Sequence, residues 1–248
     1  GPRATLESRL PPGWTRDEIL APEAYVLAGS FALEDSEEWR RGLAMAQSRA
    51  SQLVARVVAP RPGERIIDLT AAPGAKTTHL AALAHGGARI TAVELHPARA
   101  AALRETCARM GAVVDVLEGD ALSVPLEGGA DAVLLDPPCT GTGVLSSRPD
   151  ARWRRRQEAL GPLVELQRAL LGRALELVRP GGRVVYSTCS LLAEENEGVV
   201  GAHDVRLDDL AAEVPSAAHP RLPGALLTLP HIHGTDGFFI ARMRRGRA

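Results

Sequence analysis

The stretch Arg65-Ile66-Ile67-Asp68-Leu69-Thr70-Ala71-Ala72-Pro73-Gly74-Ala75-Lys76-Thr77-Thr78 decides the fold. Its first five residues read as a short apolar strand. A turn of small residues follows, and 76–84 reads as a helix. The alternation then continues: a strand over 89–95, a helix over 97–110 with Pro97 suited to its first turn, strands over 113–117 and 131–135, a long helix over 163–178, and a strand over 183–187. Continuous apolar strands joined by helices form a parallel sheet covered on both faces. The expectation is an α/β fold with a doubly wound, mostly parallel sheet. Segments 226–229 and 238–243 are expected to close it as an antiparallel hairpin. Ligands in such sheets bind at the carboxyl ends of the strands, near the reversal of strand order.

Outside that core the reading is coarser. Apolar positions Leu43, Ala46, Ala50, Leu53, Val54 and Val57 recur at three and four, which predicts a helix over 37–58 ending at Pro60. Pro180-Gly181-Gly182 is expected to close the long helix, and 193–201 to form another. Residues 1–41 form a short, irregular N-terminal segment; 42–248 form the main domain.

Composition narrows the function. The chain has 248 residues, 45% of them hydrophobic but only 3% aromatic, so Leu, Val and Ala must fill the core. A net charge of −1 argues against strong non-specific nucleic-acid binding by the chain as a whole. Three cysteines form no CxxC pair and no metal-ligand spacing, so no metal site is expected. His231-x-His233 lacks a cysteine or carboxylate partner and reads as structural. An odd cysteine count without a secretory signal points to a reducing compartment, the cytoplasm. No apolar run is long enough to span a membrane, and a monomer is expected. The start at Gly1-Pro2 reads as a protease scar or an excised fragment. Of 29 Lys and Arg residues only Lys76 is a lysine, which singles it out where arginine was the common choice.

The turn after the first strand admits a close backbone approach by a ligand, and the following helix offers free amides. It has neither a full Walker spacing nor GxGxxG, which argues against a nucleoside triphosphate or a dinucleotide. Glu94 ends the second strand, where an acid can bind ribose hydroxyls. Asp120 follows the third strand and can reach an adenine amine. The loop and the two acids, in this order, suggest S-adenosylmethionine.

Two cysteines sit at strand ends, Cys139 in Asp136-Pro137-Pro138-Cys139 and Cys189 in Ser187-Thr188-Cys189-Ser190. Thiols in polar turns on neighbouring strands suggest covalent chemistry with divided roles. Cys107, in mid-helix, reads as a small buried hydrophobe.

These segments carry a resemblance. Asp68 to Thr78, Asp136 to Gly143 and Ser187 to Ser190 together resemble the Sun/Nop family of RNA cytosine-5 methyltransferases, the RsmB-like and NSUN-like enzymes. Gln47, Ser51, Pro149-Asp150-Ala151-Arg152-Trp153 and Asp236-Gly237-Phe238-Phe239 extend it. The resemblance implies a class I S-adenosylmethionine-dependent methyltransferase fold, Rossmann-like. The cofactor would be held by Thr70, Ala71, Ala72, Pro73, Gly74, Ala75 and Lys76 with Glu94, Asp120 and Asp136. It implies Cys189 as nucleophile and Cys139 as the group assisting product release. The family usually has Cys where Thr70 stands, Gly at Ala75 and a basic residue near Ser146-Ser147. Its members usually carry an RNA-binding region ahead of the catalytic domain, so 1–41 reads as the remnant of one.

The implied chemistry suits these residue types. Cytosine C5 is a poor nucleophile until a thiolate adds at C6. A carboxylate beside a thiol raises its pKa, so Asp136 is read as contacting the N3–N4 edge of the base rather than activating the sulfur. Arg148, Arg152, Arg154, Arg155 and Arg156 are candidate RNA contacts, since guanidinium forks suit phosphates and bases. Trp153 among them is read as a packing residue. The leading reading is an RNA (cytosine-5)-methyltransferase acting on ribosomal RNA. A tRNA cytosine-5 methyltransferase, an amino-group or DNA cytosine methyltransferase, and a non-catalytic RNA-binding assembly factor on the same fold are the alternatives.

Overall fold

The computed structural model describes residues 7, 10, 13–17, 19–27, 32–153 and 157–245. Two two-residue strands, β1 (Thr15–Arg16) and β2 (Tyr25–Val26), pair near the N-terminus. The main sheet contains β3 (Arg65–Asp68), β4 (Arg89–Glu94), β5 (Val114–Glu118), β6 (Ala130–Leu135), β7 (Val178–Thr188), β8 (Arg206–Leu207), β9 (Leu226–Thr228) and β10 (Phe238–Arg244). Its order is β5-β4-β3-β6-β7-β10-β8, with β9 also on β10. Strands β3 to β7 run parallel, and β10 enters antiparallel between β7 and β8. The strand order reverses between β3 and β6, so their carboxyl ends flank the crevice.

Four longer helices cover the sheet: α1 (Arg49–Val58), α2 (Ala75–Leu83), α3 (Pro97–Arg109) and α4 (Leu160–Leu177). Successive strand side chains point to opposite faces. Ile66, Leu134, Val185 and Ile240 therefore meet Leu53, Val54 and Val58 of α1 and Leu80 of α2. Their neighbours Ile67, Leu135, Tyr186 and Phe239 meet Leu170, Leu171 and Leu177 of α4 on the other face. Both faces are dry, which explains the unbroken apolar strands.

The helix expected over 37–58 is broken. A single turn, Glu37–Arg40, stands apart from α1. Gly42 adopts φ +68°, and a Cβ there would lie 1.8 Å from the Arg109 carbonyl oxygen. The Arg109 guanidinium donates to Trp39 O and Ala44 O at 2.9 and 3.2 Å and lies over the Trp39 ring, so the end of α3 satisfies the carbonyls that the break exposes. Ser48 restarts the helix by accepting from Ser51 N–H. At its other end, Arg183 donates to Val58 O and Ala59 O and Arg242 to Val57 O. Two buried guanidinium groups thus cap α1.

Pro180-Gly181-Gly182 does not separate helix from strand. Helix α4 ends at Leu177 and β7 begins at Val178, with 179–182 bulging between the pairs Ala130↔Val178 and Ala132↔Arg183. The helix expected over 193–201 is regular only at Glu197–Val200. The antiparallel pairing of β9 with β10 is as expected, while β8 had no sequence signal. Part of the N-terminal segment packs on the domain: Leu20 is buried against α1, and Asp17 pairs with Arg49 at 3.2 Å. Among the described residues no helix is long and apolar enough to cross a membrane.

Candidate active site

Strand β3 ends at Asp68, which is buried and accepts from the Thr77 hydroxyl at 2.7 Å. That bond ties the start of α2 back to the strand and shapes the turn between them. Gly74 takes φ +105°, so the helix can begin at Ala75 with ordinary dihedrals. The family's glycine at Ala75 is therefore dispensable here. Burial lifts Asp68 to about 6, against the Thr77 bond and the Lys76 charge.

A cavity of about 670 Å³ opens at the carboxyl ends of the strands. Thr70, Ala72, Pro73, Glu94, Asp120 and Asp136 line it, as do both candidate thiols and Arg148. Ala71, Gly74, Ala75 and Lys76 stand behind that wall; Ala71 N–H is spent on Val93 O at 3.0 Å. Glu94 is buried and accepts from His96 N–H at 3.0 Å, with Arg99 3.5 Å from its other oxygen. Asp120 accepts from Leu122 N–H at 3.0 Å. Two anchored acids flanked by Leu95 and Ala121 suit a polar, ribose-bearing ligand with an apolar heterocycle.

The chemistry-bearing corner lies between β6 and β7. Asp136 receives the Lys76 ammonium on Oδ2 at 2.7 Å and the Ser187 hydroxyl on Oδ1 at 2.9 Å. Its own N–H donates to Thr70 Oγ1 at 3.2 Å, so Thr70 works as a hydrogen-bond acceptor. Cys139 Sγ and Cys189 Sγ are 3.4 Å apart. Their contact pushes the Cys139 thiol well above its ordinary value, helped by burial, and pulls the Cys189 thiol below its own. Burial and Asp136 work against that lowering at Cys189; Lys76 works for it. Lys76 thus faces the sulfur corner as well as bracing the loop. Its Nζ also lies 5.4 Å from the Phe238 ring centroid.

Three residues that sequence reasoning passed over complete the corner. Glu195 and Asn196 are buried beside the cysteine loops, and Gln167 reaches them from α4. The only sequence signal was a carboxylate and an amide shortly after Cys189, in a segment read as helix.

The remaining candidates divide. Arg148 lines the cavity, whereas Arg152 is exposed and bonds Pro149 O at 3.1 Å. Arg154, Arg155 and Arg156 lie outside the described residues. Trp153 is 84% exposed, not packed, because a short 3-10 turn over Pro149–Trp153 carries it away from the core. Ser147 bonds Asp236 at 2.9 Å. Cys107 is buried, and desolvation raises it to about 11. The His233 ring caps its own turn, accepting from Leu229 N–H at 2.9 Å.

Known proteins share this arrangement. Residues 55–244 match the family described as 16S rRNA methyltransferase RsmB/F. A putative methyltransferase of Mycobacterium tuberculosis is 42% identical over 216 residues, 83% of this chain and 47% of that one. Ribosomal RNA small subunit methyltransferase B of Klebsiella pneumoniae is 35% identical over 229 residues, 91% of this chain and 52% of that one. The chain therefore spans about half the length of these curated relatives. NSun6 from Pyrococcus horikoshii, solved with SFG, has a TM-score of 0.81 at 33% identity over 88% of this chain and 57% of its own. A methyltransferase homologue from the same organism has 0.84 at 30% identity, over 99% of this chain and 83% of its own. The strand order with its antiparallel β10 is that of a class I S-adenosylmethionine-dependent methyltransferase, and the chain belongs to the RsmB/F family of 16S rRNA methyltransferases.

Proposed function

We propose that this chain is the catalytic domain of a cytoplasmic, monomeric RNA (cytosine-5)-methyltransferase that modifies ribosomal RNA through a covalent bond between Cys189 and C6. The observation that carries the reading is the sulfur pair: two thiols 3.4 Å apart, one eased toward thiolate and the other held protonated. Glu94, Asp120 and the Thr70–Pro73 wall would hold S-adenosylmethionine, as the donor set of the cavity supports. When bound, it supplies the electrophilic methyl group that an activated C5 accepts.

The protein's own steps in this reading are these. The Cys189 thiolate adds to C6, and the ring's electron pair moves onto C5. Asp136, already held by Lys76 and Ser187, is fixed where the polar edge of a base can meet it. After transfer, Cys139 serves as relay: it accepts the C5 proton as its own S–H proton passes to the departing Cys189 sulfur 3.4 Å away. The electrons left at C5 re-form the C5–C6 double bond, and Cys189 leaves as the thiol. The target base must be unstacked to enter the cavity, with Arg148 at its wall to meet the RNA.

The test is direct. The full-length protein is incubated with deproteinised 16S rRNA and methyl-labelled S-adenosylmethionine, and the RNA is digested and analysed by mass spectrometry. Label in 5-methylcytidine is expected. Label on an exocyclic nitrogen or a ribose oxygen, or transfer to tRNA alone, would sink the proposal.

A further inference from the structure

The ladder between β6 and β7 ends at Leu135↔Tyr186, before either cysteine. Cys139 lies four residues past its last pair and Cys189 three residues past it. Parallel pairing of these two strands therefore does not fix the sulfur–sulfur distance, and something beyond it must.

Direct contacts join the two loops, Gly143 N–H to Cys189 O at 2.9 Å and the Thr140 hydroxyl to the Ser190 hydroxyl at 3.1 Å, and Glu195 and Asn196 brace them from behind. They are adjacent in sequence and 0% and 1% exposed. Glu195 grips the Cys139 loop. Thr140 N–H donates to its Oε1 at 2.8 Å, and the Thr140 hydroxyl donates to its Oε2. Gln167 Nε2 donates both to Glu195 Oε1 at 2.9 Å and to Pro138 O at 2.8 Å, so Cys139 is held on both sides. Asn196 grips the Cys189 loop. Its Oδ1 accepts from the Thr188 hydroxyl at 2.6 Å, and its Nδ2 donates to Ser190 O at 2.9 Å. Tyr186 OH, from β7, donates to the Glu195 carbonyl at 2.7 Å and pins the dipeptide to the sheet.

We propose that Glu195 and Asn196 are positioning residues that hold the two catalytic sulfurs in contact, each gripping the loop of one cysteine. A buried carboxylate and a buried amide are costly unless fully hydrogen-bonded, and an apolar pair of similar volume would stabilise the fold at least as well. Their value here is geometric, because they maintain the 3.4 Å sulfur–sulfur contact, across which a Cys139 S–H can donate to a Cys189 thiolate. The proposal rests on the reading of Cys189 as nucleophile. It concerns a property of the sulfur pair that can be measured without RNA.

Two sets of groups surround the pair. Cys139 faces Cys189, Asp136, Glu195 and Tyr186; Cys189 faces Cys139, Asp136 and Lys76. Loosening the Cys139 loop removes the S–H donor from Cys189 and leaves burial and Asp136 opposed by Lys76 and a backbone hydrogen bond alone. The Cys189 thiolate then becomes harder to form.

The experiment follows iodoacetamide alkylation of Cys189 in the full chain as a function of pH, with peptide mass spectrometry as readout. Glu195→Gln trades one acceptor oxygen for a donor against Thr140 and so loosens the loop. This should outweigh the smaller opposite pull from losing the carboxylate charge, moving the alkylation midpoint up by about one pH unit, a roughly tenfold loss of reactivity below it. Thr140→Val, which removes the hydroxyl's grip on Glu195 together with its 3.1 Å contact to Ser190 and keeps the charge, should move it in the same direction. Glu194→Gln, at the exposed neighbour, should leave it in place. In a Cys139→Ala background, Glu195→Gln should cause no further shift, because its route to Cys189 is gone. A melting midpoint that falls while the alkylation midpoint stays put would mean the dipeptide is structural only, and would overturn the proposal. So would a shift that persists undiminished without Cys139. If Glu195→Gln does not fold, Thr140→Val decides alone. Methyl transfer surviving in Cys189→Ala would instead overturn the catalytic reading, and the two failures are read in separate assays.

Discussion

The Lys76 ammonium sits 2.7 Å from Asp136 Oδ2, joining the helix after β3 to the loop after β6 across the reversal of strand order. Its charge is also felt at Cys189, where it eases ionisation while Asp136 opposes it. Removing the ammonium should therefore leave the Asp136 carboxylate uncompensated beside Cys189. Lys76→Met is expected to raise the pH at which Cys189 alkylates and to lower kcat by about tenfold or more at neutral pH. Lys76→Arg keeps the charge but not the compact shape, and should restore the alkylation profile more fully than the turnover. Equal loss of both in the two variants would contradict this account.

The two thiols predict distinct trapped states. Cys189→Ala should abolish methyl transfer and form no adduct. Cys139→Ala should still transfer one methyl and then stall, leaving an enzyme–RNA species with reduced mobility on a denaturing gel. The reverse pattern would exchange their roles.

Glu94 predicts a binding defect rather than a chemical one. It is buried at the end of β4, oriented by His96 N–H, and lines the cavity away from the sulfurs. Glu94→Ala should weaken S-adenosylmethionine binding about 10- to 100-fold, the range for one hydrogen-bonded carboxylate. Once the cofactor is saturating, kcat should be close to that of the wild type. Calorimetric titration measures the first expectation and steady-state kinetics the second.

Asp68 gives a stability signature with a definite sign. Burial raises its pKa to about 6 from an ordinary 3.8. The folded state therefore binds this proton more tightly than the unfolded chain does, and the stability it confers is lost as pH rises from about 4 to 6. Asp68→Asn keeps an acceptor for Thr77 but removes that slope. Its stability relative to the wild type should improve between pH 4 and pH 7, by on the order of 2 kcal/mol. Urea unfolding at the two pH values checks it, and identical differences at both would refute it.

What was legible in the sequence follows from interaction range. The parallel core was readable because β3, β4, β6 and β7 are apolar on both faces and helices alternate with the strands. The small-residue turn after β3 was readable because Gly74 and its neighbours act within one short stretch of chain. The break at Gly42 was not, since its cause is Arg109, brought near only by folding. Strand β8 is two residues long and exists because β10 offers it an edge. Glu195 was passed over for the same reason, because its partners Thr140 and Gln167 lie 55 and 28 residues away; Asn196 bonds Thr188 and Ser190 nearby, but in a segment read as helix. Trp153 was misjudged because its size suggested burial and nothing local signalled the exposed turn that carries it.

The position of β10 bears on how the domain comes into being. It is the most C-terminal strand among the described residues, yet it lies inside the sheet, with β7 on one side and β8 and β9 on the other. During synthesis, β7 must wait with an unpaired edge while the intervening chain is made. Phe239 pairs with Thr188, one residue before Cys189, so the loop of this candidate nucleophile gains its β10 neighbour only when that strand docks. A nascent chain that stops short of β10 leaves an open strand edge exposed to other chains.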